Sequence, residues 1–306
     1  MGAHHDHSHT VAATANPRWL WVALWINLGF MVVEVVIGLI ANSVALISDA
    51  AHMLTDAGAI GLAIAAVKLA ERPPDGRFTF GLKRSEILSA QVNGAALLVL
   101  AGVIGFEAVR RIGSPVDVDG AFVIAVGLAG AVANGATAVA IARANRASLN
   151  VEGAFMHNLA DLYSSLAAAG AGLLIVTTGF DEADGIAALT VCALMLYGGW
   201  GLLRDSGRVL LEGTPRGMDA REIGEAMAAH PGVEEVHDLH IWEVTSGFPT
   251  LSAHVMVPPG EDCHARRREL TQLLADRFGI EHATLQVEHE REPQLLEIEG
   301  LTEGQE

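Results

Sequence analysis

Two cysteines, Cys192 and Cys263, are all that the 306 residues contain. One lies in a hydrophobic run and the other in a polar stretch. A disulfide between them is not expected, and nothing points to an oxidising compartment. Basic residues are scarce too: 19 Lys and Arg stand against 36 Asp and Glu, a formal net charge of −17. Residues beyond about 210 hold 20 of those acids and only 7 of the bases. Such a tail repels nucleic acid and attracts cations. No G-x-x-x-x-G-K-[ST] phosphate loop occurs, which disfavours pumping by ATP. No apolar stretch carries the periodic arginines of a voltage sensor. The opening MGAHHDHSHTVAATANPRW lacks the charged, apolar and cleavage regions of a secretory signal. Its His4, His5, His7 and His9 read equally as an expression remnant or as a natural metal-attracting tract.

What the chain does have is apolar length. Six segments, roughly 18–40, 44–69, 87–110, 120–142, 152–177 and 184–204, each offer the approximately 20 mostly apolar residues that cross about 30 Å of hydrocarbon. The second connection carries Arg72, Arg77, Lys83 and Arg84, the fourth carries Arg143 and Arg146, and the chain leaves the sixth span through Arg204 and Arg208. The first and fifth connections carry no base, and only Arg110 and Arg111 at the edge of the third oppose the pattern. The positive-inside bias places both termini in the cytoplasm. The expected organisation is a His-containing N-terminal tail (1–17), a six-span transmembrane domain (18–208), a cytoplasmic metal-binding and dimerisation domain (209–291) and a disordered acidic tail (292–306).

Inside that grease lie two pairs of ionisable residues with one spacing: His52 and Asp56 in the second span, His157 and Asp161 in the fifth. Each ionisable group in hydrocarbon costs roughly 2.5–3.5 kcal/mol on insertion scales and usually marks an ion pathway. Residues at i and i+4 share a helix face. One such pair could be helix–helix glue. Two pairs facing each other would offer two imidazoles and two carboxylates, a tetrahedral cage for Zn²⁺, Co²⁺ or Cd²⁺ rather than for Ca²⁺ or Mg²⁺. No cysteine joins the set, which argues against Cu⁺. Protons compete with metal for the imidazole lone pairs, so such a site can exchange one for the other. Asp49 and Glu34 are further intramembrane acids with no ligand role assigned.

These residues sit in a recognisable frame. NLGFMVVEVVIGLIANSVALISDAAHMLTDAGAIGLA (27–63) resembles the first two spans of the cation diffusion facilitator family. Phe80-Gly81 with Arg84-Ser85-Glu86 resembles the start of its third span, and AFMHNLADLYSSL (154–166) its fifth. VHDLHIW, LSAHVMV and HATLQVE resemble its cytoplasmic domain. The resemblance implies a homodimeric, proton-driven exporter of zinc and related divalent ions in a bacterial inner (plasma) membrane, without an organic cofactor or catalytic residues. It implies His52, Asp56, His157 and Asp161 as the transport site. Some members of the family hold a second metal in the loop between spans two and three. Here Phe78 and Leu82 occupy the ligand positions, and Asp75 alone cannot make a site.

The fold class expected is therefore an all-α six-helix transmembrane bundle followed by a cytoplasmic α+β ferredoxin-like domain. DAREIGEAMAAH has helical spacing through Ile223 and Met227, and VEEVHDLHIWEV and TLSAHVMV read as strands. CHARRRELTQLLADRFG is helical with Leu270, Leu273 and Leu274 on one face, and HATLQVEHE is a last strand. Folding the hairpin symmetrically about Gly247 sets His240 against His254. The resemblance instead implies His237 with His254, joined by His282 and Glu288, and a turn bulge would favour that arrangement. Zinc bound there could close two tails together and bias the membrane halves. A passive channel, a membrane-anchored metal sensor and a membrane metalloenzyme are the rival readings. The last would need an open coordination position, which four protein ligands do not leave.

Overall fold

A computed structural model describes residues 17–40, 44–113, 120–144, 146, 148–180 and 183–289, with some side chains inside these ranges left out. The N-terminal histidines, the 292–306 tail and the side chains of His52, Glu34 and Asp49 lie outside what is described.

Six long helices come first: α1 (Pro17–Ile40), α2 (Val44–Ala70), α3 (Ser85–Gly113), α4 (Gly120–Ala142), α5 (Leu149–Thr178) and α6 (Ala183–Leu210). The shortest has 23 residues, which at 1.5 Å per residue reaches across a bilayer core. Among the described residues, α3, α4, α5 and α6 each contain a stretch apolar enough to span. Helices α3, α5 and α6 exceed the sequence-read spans at both ends, while α4 coincides with its own. Helix α5 starts at Leu149 because Ser148, in extended conformation, takes the Val151 N–H as an N-cap. It ends where Gly179, at φ 69°, supplies the left-handed C-cap. Helix α6 continues past Arg204 to Leu210.

The burial pattern of these helices is inverted relative to a water-soluble bundle. Asn27, Asn93, Asn134, Thr137, Asn150 and Asn158 are buried, while Val99, Val103, Phe106, Val132 and Val139 are exposed. Apolar side chains facing outward gain nothing in water but suit lipid, and small or polar residues let helices approach inside. Gly127 illustrates the approach: a Cβ built there would lie 2.8 Å from the Ser165 carbonyl oxygen and the Ala169 nitrogen. One apolar cluster joins Leu20 and Ala23 of α1, Ile60 and Ile64 of α2, Ile141 of α4 and Val151 of α5. Another joins Leu97 and Ala101 of α3, Ala160 of α5, and Val191 and Met195 of α6.

The remaining unit comprises residues 214–242 and 249 onward, while Glu243–Phe248 belongs with the helical unit. Its elements are α7 (Ala220–Ala228), β1 (Glu235–Glu243), β2 (Pro249–Val257), α8 (Cys263–Phe278) and β3 (His282–His289). The sheet order is β1-β2-β3, with β2 and β3 parallel. The α8 crossover that parallel neighbours require is capped by Asp262 at one end and Gly279 (φ 67°) at the other. Odd-numbered positions of β2 (Leu251, Ala253, Val255, Val257) pack with Ile223, Met227, Leu270, Leu274 and Leu285 into one core. Leu273 is half-buried and is not among the residues packed against this core. The even positions, His254 among them, stand on the opposite face.

Candidate metal centre

Among the described residues one group of three potential ligands converges: Asp56 from α2 with His157 and Asp161 from α5, their ligand atoms within 4.8 Å of one another. All three are buried, at 2, 3 and 5 % exposure. Both carboxylates approach the same ring nitrogen. His157 Nε2 lies 3.0 Å from Asp56 Oδ1 and 3.7 Å from Asp161 Oδ2. A tetrahedral Zn²⁺ with Zn–N and Zn–O bonds near 2.0–2.2 Å would hold neighbouring ligand atoms roughly 3.4 Å apart. The two distances bracket that spacing, so shifts of a few tenths of an ångström would admit the ion. His52 lies on α2 one turn before Asp56, and its side chain is outside the described set.

A residue that sequence reasoning passed over sets the helix register. Buried Asn150, near the start of α5, donates its Nδ2 hydrogen to the Ala63 carbonyl of α2 at 2.9 Å. His157 is seven residues after Asn150, and Asp56 seven before Ala63. The two helices run in opposite directions here, so two turns, about 10.5 Å, separate the Asn150 bond from the His157–Asp56 contact on both. The only hint in the sequence was an amide in an apolar context. Ser165 Oγ, one turn beyond Asp161, donates to the Asp161 carbonyl at 2.8 Å and accepts from Asn134 Nδ2 of α4 at 3.3 Å.

In the loop before α3, Asp75 is committed to the backbone. Its Oδ1 accepts from the N–H groups of Arg77 and Phe78 at 2.8 and 2.9 Å, which hold its carboxyl below the ordinary aspartate range.

In the tail domain the inward residues of β1 are Val236, Leu239 and Ile241, a spacing of three and then two. Between the first two, His237 and Asp238 both face outward, and Asp238 has φ 52°. That is a β-bulge, with Asp tolerating the left-handed region better than most residues. It sets the His237 ring 5.4 Å, centroid to centroid, from that of His254. His240 reaches Asp238 Oδ1 at 3.0 Å, and His254 Nε2 stands 4.0 Å from Asp238 Oδ2. Asp238 was not foreseen as a member of this cluster, because a bulge carries no residue signature of its own. On β3 the register sets Gln286 opposite His254, His282 opposite Thr250 and Glu288 opposite Met256. His282 is therefore four residues, about 13 Å, along the strand from the position facing His254. These four do not form a converged set like that in the helices.

Two family descriptions match this chain. "Cation efflux transmembrane domain" covers residues 20–211, and "Cation efflux protein, cytoplasmic domain" covers 215–290. The chain belongs to the cation diffusion facilitator family, in its zinc-transporting branch. This member is 40 % identical over 291 residues to the zinc transporter ZitB of Escherichia coli, covering 94 % of this chain and 93 % of that one. It is 35 % identical over 287 residues to a cadmium, cobalt and zinc/H⁺-K⁺ antiporter of Bacillus velezensis, covering 92 % and 91 %. A solved metal-bound C-terminal domain of the CzcD transporter from Cupriavidus metallidurans is 42 % identical, covering 23 % of this chain and 99 % of that one, with a TM-score of 0.23. The family is one of integral membrane transporters rather than enzymes.

Proposed function

We propose that this cation diffusion facilitator exports Zn²⁺, with Cd²⁺ and Co²⁺ as further cargo, from the cytoplasm in exchange for protons. The observation that carries the reading is the convergence of Asp56 and Asp161 on one nitrogen of His157. That lone pair can hold a proton, shared with Asp56, or a metal ion, but not both. With the proton in place, a neutralised pair occupies the cage. With the metal in place, two carboxylates, the imidazole and His52 complete a tetrahedral shell. Loading one ion therefore expels the other, which is the elementary step of antiport.

The chain works as a homodimer through its cytoplasmic domain, in a bacterial inner membrane with both termini inside. The acidic tail attracts cations. His237, His254, His282 and Glu288 are proposed as a regulatory metal set, with Asp238 supporting the first two through the bulge. The names of the similar transporters support zinc as cargo and proton exchange.

Zinc flux into proteoliposomes, with and without an imposed proton gradient, tests the proposal. Flux should follow the gradient in the parent and vanish in Asp56→Asn and Asp161→Asn. Flux indifferent to the gradient, or surviving both substitutions, would refute it.

A further inference from the structure

We infer that Asn27, Thr137 and Asn158 line a buried water-binding pocket beside the metal cage, which takes up and returns the water that the ion exchanges for protein ligands. The inference rests on Asp56, His157 and Asp161 being the transport site. The three side chains come from α1, α4 and α5 and are 0, 0 and 2 % exposed. Among the described residues, no hydrogen-bond partner serves Nδ2 or Oδ1 of Asn27, Nδ2 or Oδ1 of Asn158, or Oγ1 of Thr137. Buried polar atoms left in this way are costly, and native interiors meet that cost with ordered water.

Helix register brings the three to one level. An apolar cluster joins Leu20 of α1, Ile64 of α2, Ala144 of α4 and Val151 of α5. Residues 41–43 alone join α1 to α2, so these two helices run antiparallel. Helices α4 and α5 do the same, since Gly120 meets Gly172, Gly127 meets Ala169 and Asn134 meets Ser165. Away from the cluster, residue numbers therefore rise on α1 and α5 and fall on α2 and α4. Seven residues, two turns or about 10.5 Å, lead from Leu20 to Asn27, from Val151 to Asn158 and from Ala144 to Thr137. The same step leads from Ile64 to Ala57, beside Asp56, and Asn158 directly follows His157. A step of seven drifts only about 20° around a helix, so each side chain keeps the facing of the cluster residue below it. All three thus face the interior of the four helices at the depth of the His157–Asp56 contact.

Chemistry selects the occupant. The three side chains carry no formal charge, and each amide offers both donor and acceptor. A bare cation would satisfy the oxygens and leave both Nδ2 groups unpaired, and an anion would do the reverse. Water donates and accepts, so it serves all five atoms. A hydrated divalent ion must shed water to enter a cage of protein ligands. Water released in an apolar interior needs two to four polar partners. The pocket supplies them one residue from a ligand. It stays wet whether the cage is full or empty, so it lowers the barrier to exchange and leaves the end states alone.

Stopped-flow exchange of zinc between a chelating dye and the full-length protein in detergent gives loading and unloading rates and, from their ratio, affinity. The phase missing from Asp56→Asn belongs to the cage. Thr137→Val, which puts a methyl in place of the hydroxyl, and Asn158→Leu should each slow that phase about tenfold in both directions, the effect of one hydrogen bond lost in the transition state, and hold affinity within about twofold. Thr137→Ser, which restores the hydroxyl, should recover the parental rates. Parental rates in Thr137→Val or Asn158→Leu, affinity falling in step with rate, or Thr137→Ser as slow as Thr137→Val would each overturn the inference. Zinc exchange in Asp56→Asn identical to the parent's would instead overturn the cage reading itself, and the pocket's role with it.

Discussion

Replacing Asn150 with leucine should separate stability from metal binding. The side chain is wholly buried, and its Nδ2 makes the 2.9 Å bond to the Ala63 carbonyl. Its Oδ1 has no partner in the described structure. Losing the bond costs about 0.5–1.5 kcal/mol, while removing an unpartnered buried oxygen returns about 1–3 kcal/mol. Leucine has the same number and branching of side-chain heavy atoms as asparagine, so no cavity opens. The Asn150→Leu variant should therefore keep the parental unfolding temperature or exceed it. The register of α5 against α2, however, loses the polar tie between Asn150 and the Ala63 carbonyl. The site depends on a 3.0 Å contact two turns away, and a constellation of this kind tolerates about 0.5 Å of misplacement. Removing a residue that orients metal ligands typically weakens metal affinity about 10–100-fold. Competition titration with a zinc-sensitive dye on purified protein gives the affinity, and thermal unfolding in the same detergent gives the stability. Parental zinc affinity in Asn150→Leu would refute the register argument. Loss of affinity accompanied by a large drop in unfolding temperature would reduce it to general destabilisation.

Two further outcomes are expected. Gly127→Ala brings a Cβ to 2.8 Å from α5 backbone atoms, so the helices must part by roughly 0.6 Å to reach ordinary contact, at an overpacking cost of about 1–3 kcal/mol. Its zinc flux should fall, while Gly170→Ala, with open space at its Cβ, should transport normally in the same assay. In the tail domain, the N–H groups of Ala265 and His264 hold the Asp262 carboxyl below its ordinary value. Its capping contribution is thus present above the unfolded aspartate value and lost as pH falls through the lower folded one. Asp262→Ala should lower the unfolding temperature at neutral pH and converge with the parent in acid, as scanning calorimetry would show.

Much of the architecture was legible because a membrane imposes a blunt code. Twenty apolar residues between turn signals announce a helix, and the repeated HxxxD spacing in α2 and α5 pointed to residues of which Asp56, His157 and Asp161 converge. What escaped reading depends on backbone states and on contacts between distant residues. Helix α5 gains a turn because Ser148 caps it, a boundary that apolar counting places at 152. The His237–His254 neighbourhood hangs on one residue, Asp238, in a left-handed conformation inside a strand. A symmetric hairpin register has no place for that extra residue, which is why it set His240 against His254. Asn150 and Ala63 join elements whose alignment periodicity does not report.

The proposed ligands are divided between two helices, Asp56 arriving on α2 and His157 with Asp161 on α5. An ion seated among them is therefore a bolt through a joint, and the joint's two plates are the helices themselves. Any slide of one plate against the other shortens the list of atoms gripping the bolt. Affinity and helix position thus become a single variable, and a transporter built this way needs no separate latch to know when its cargo has gone.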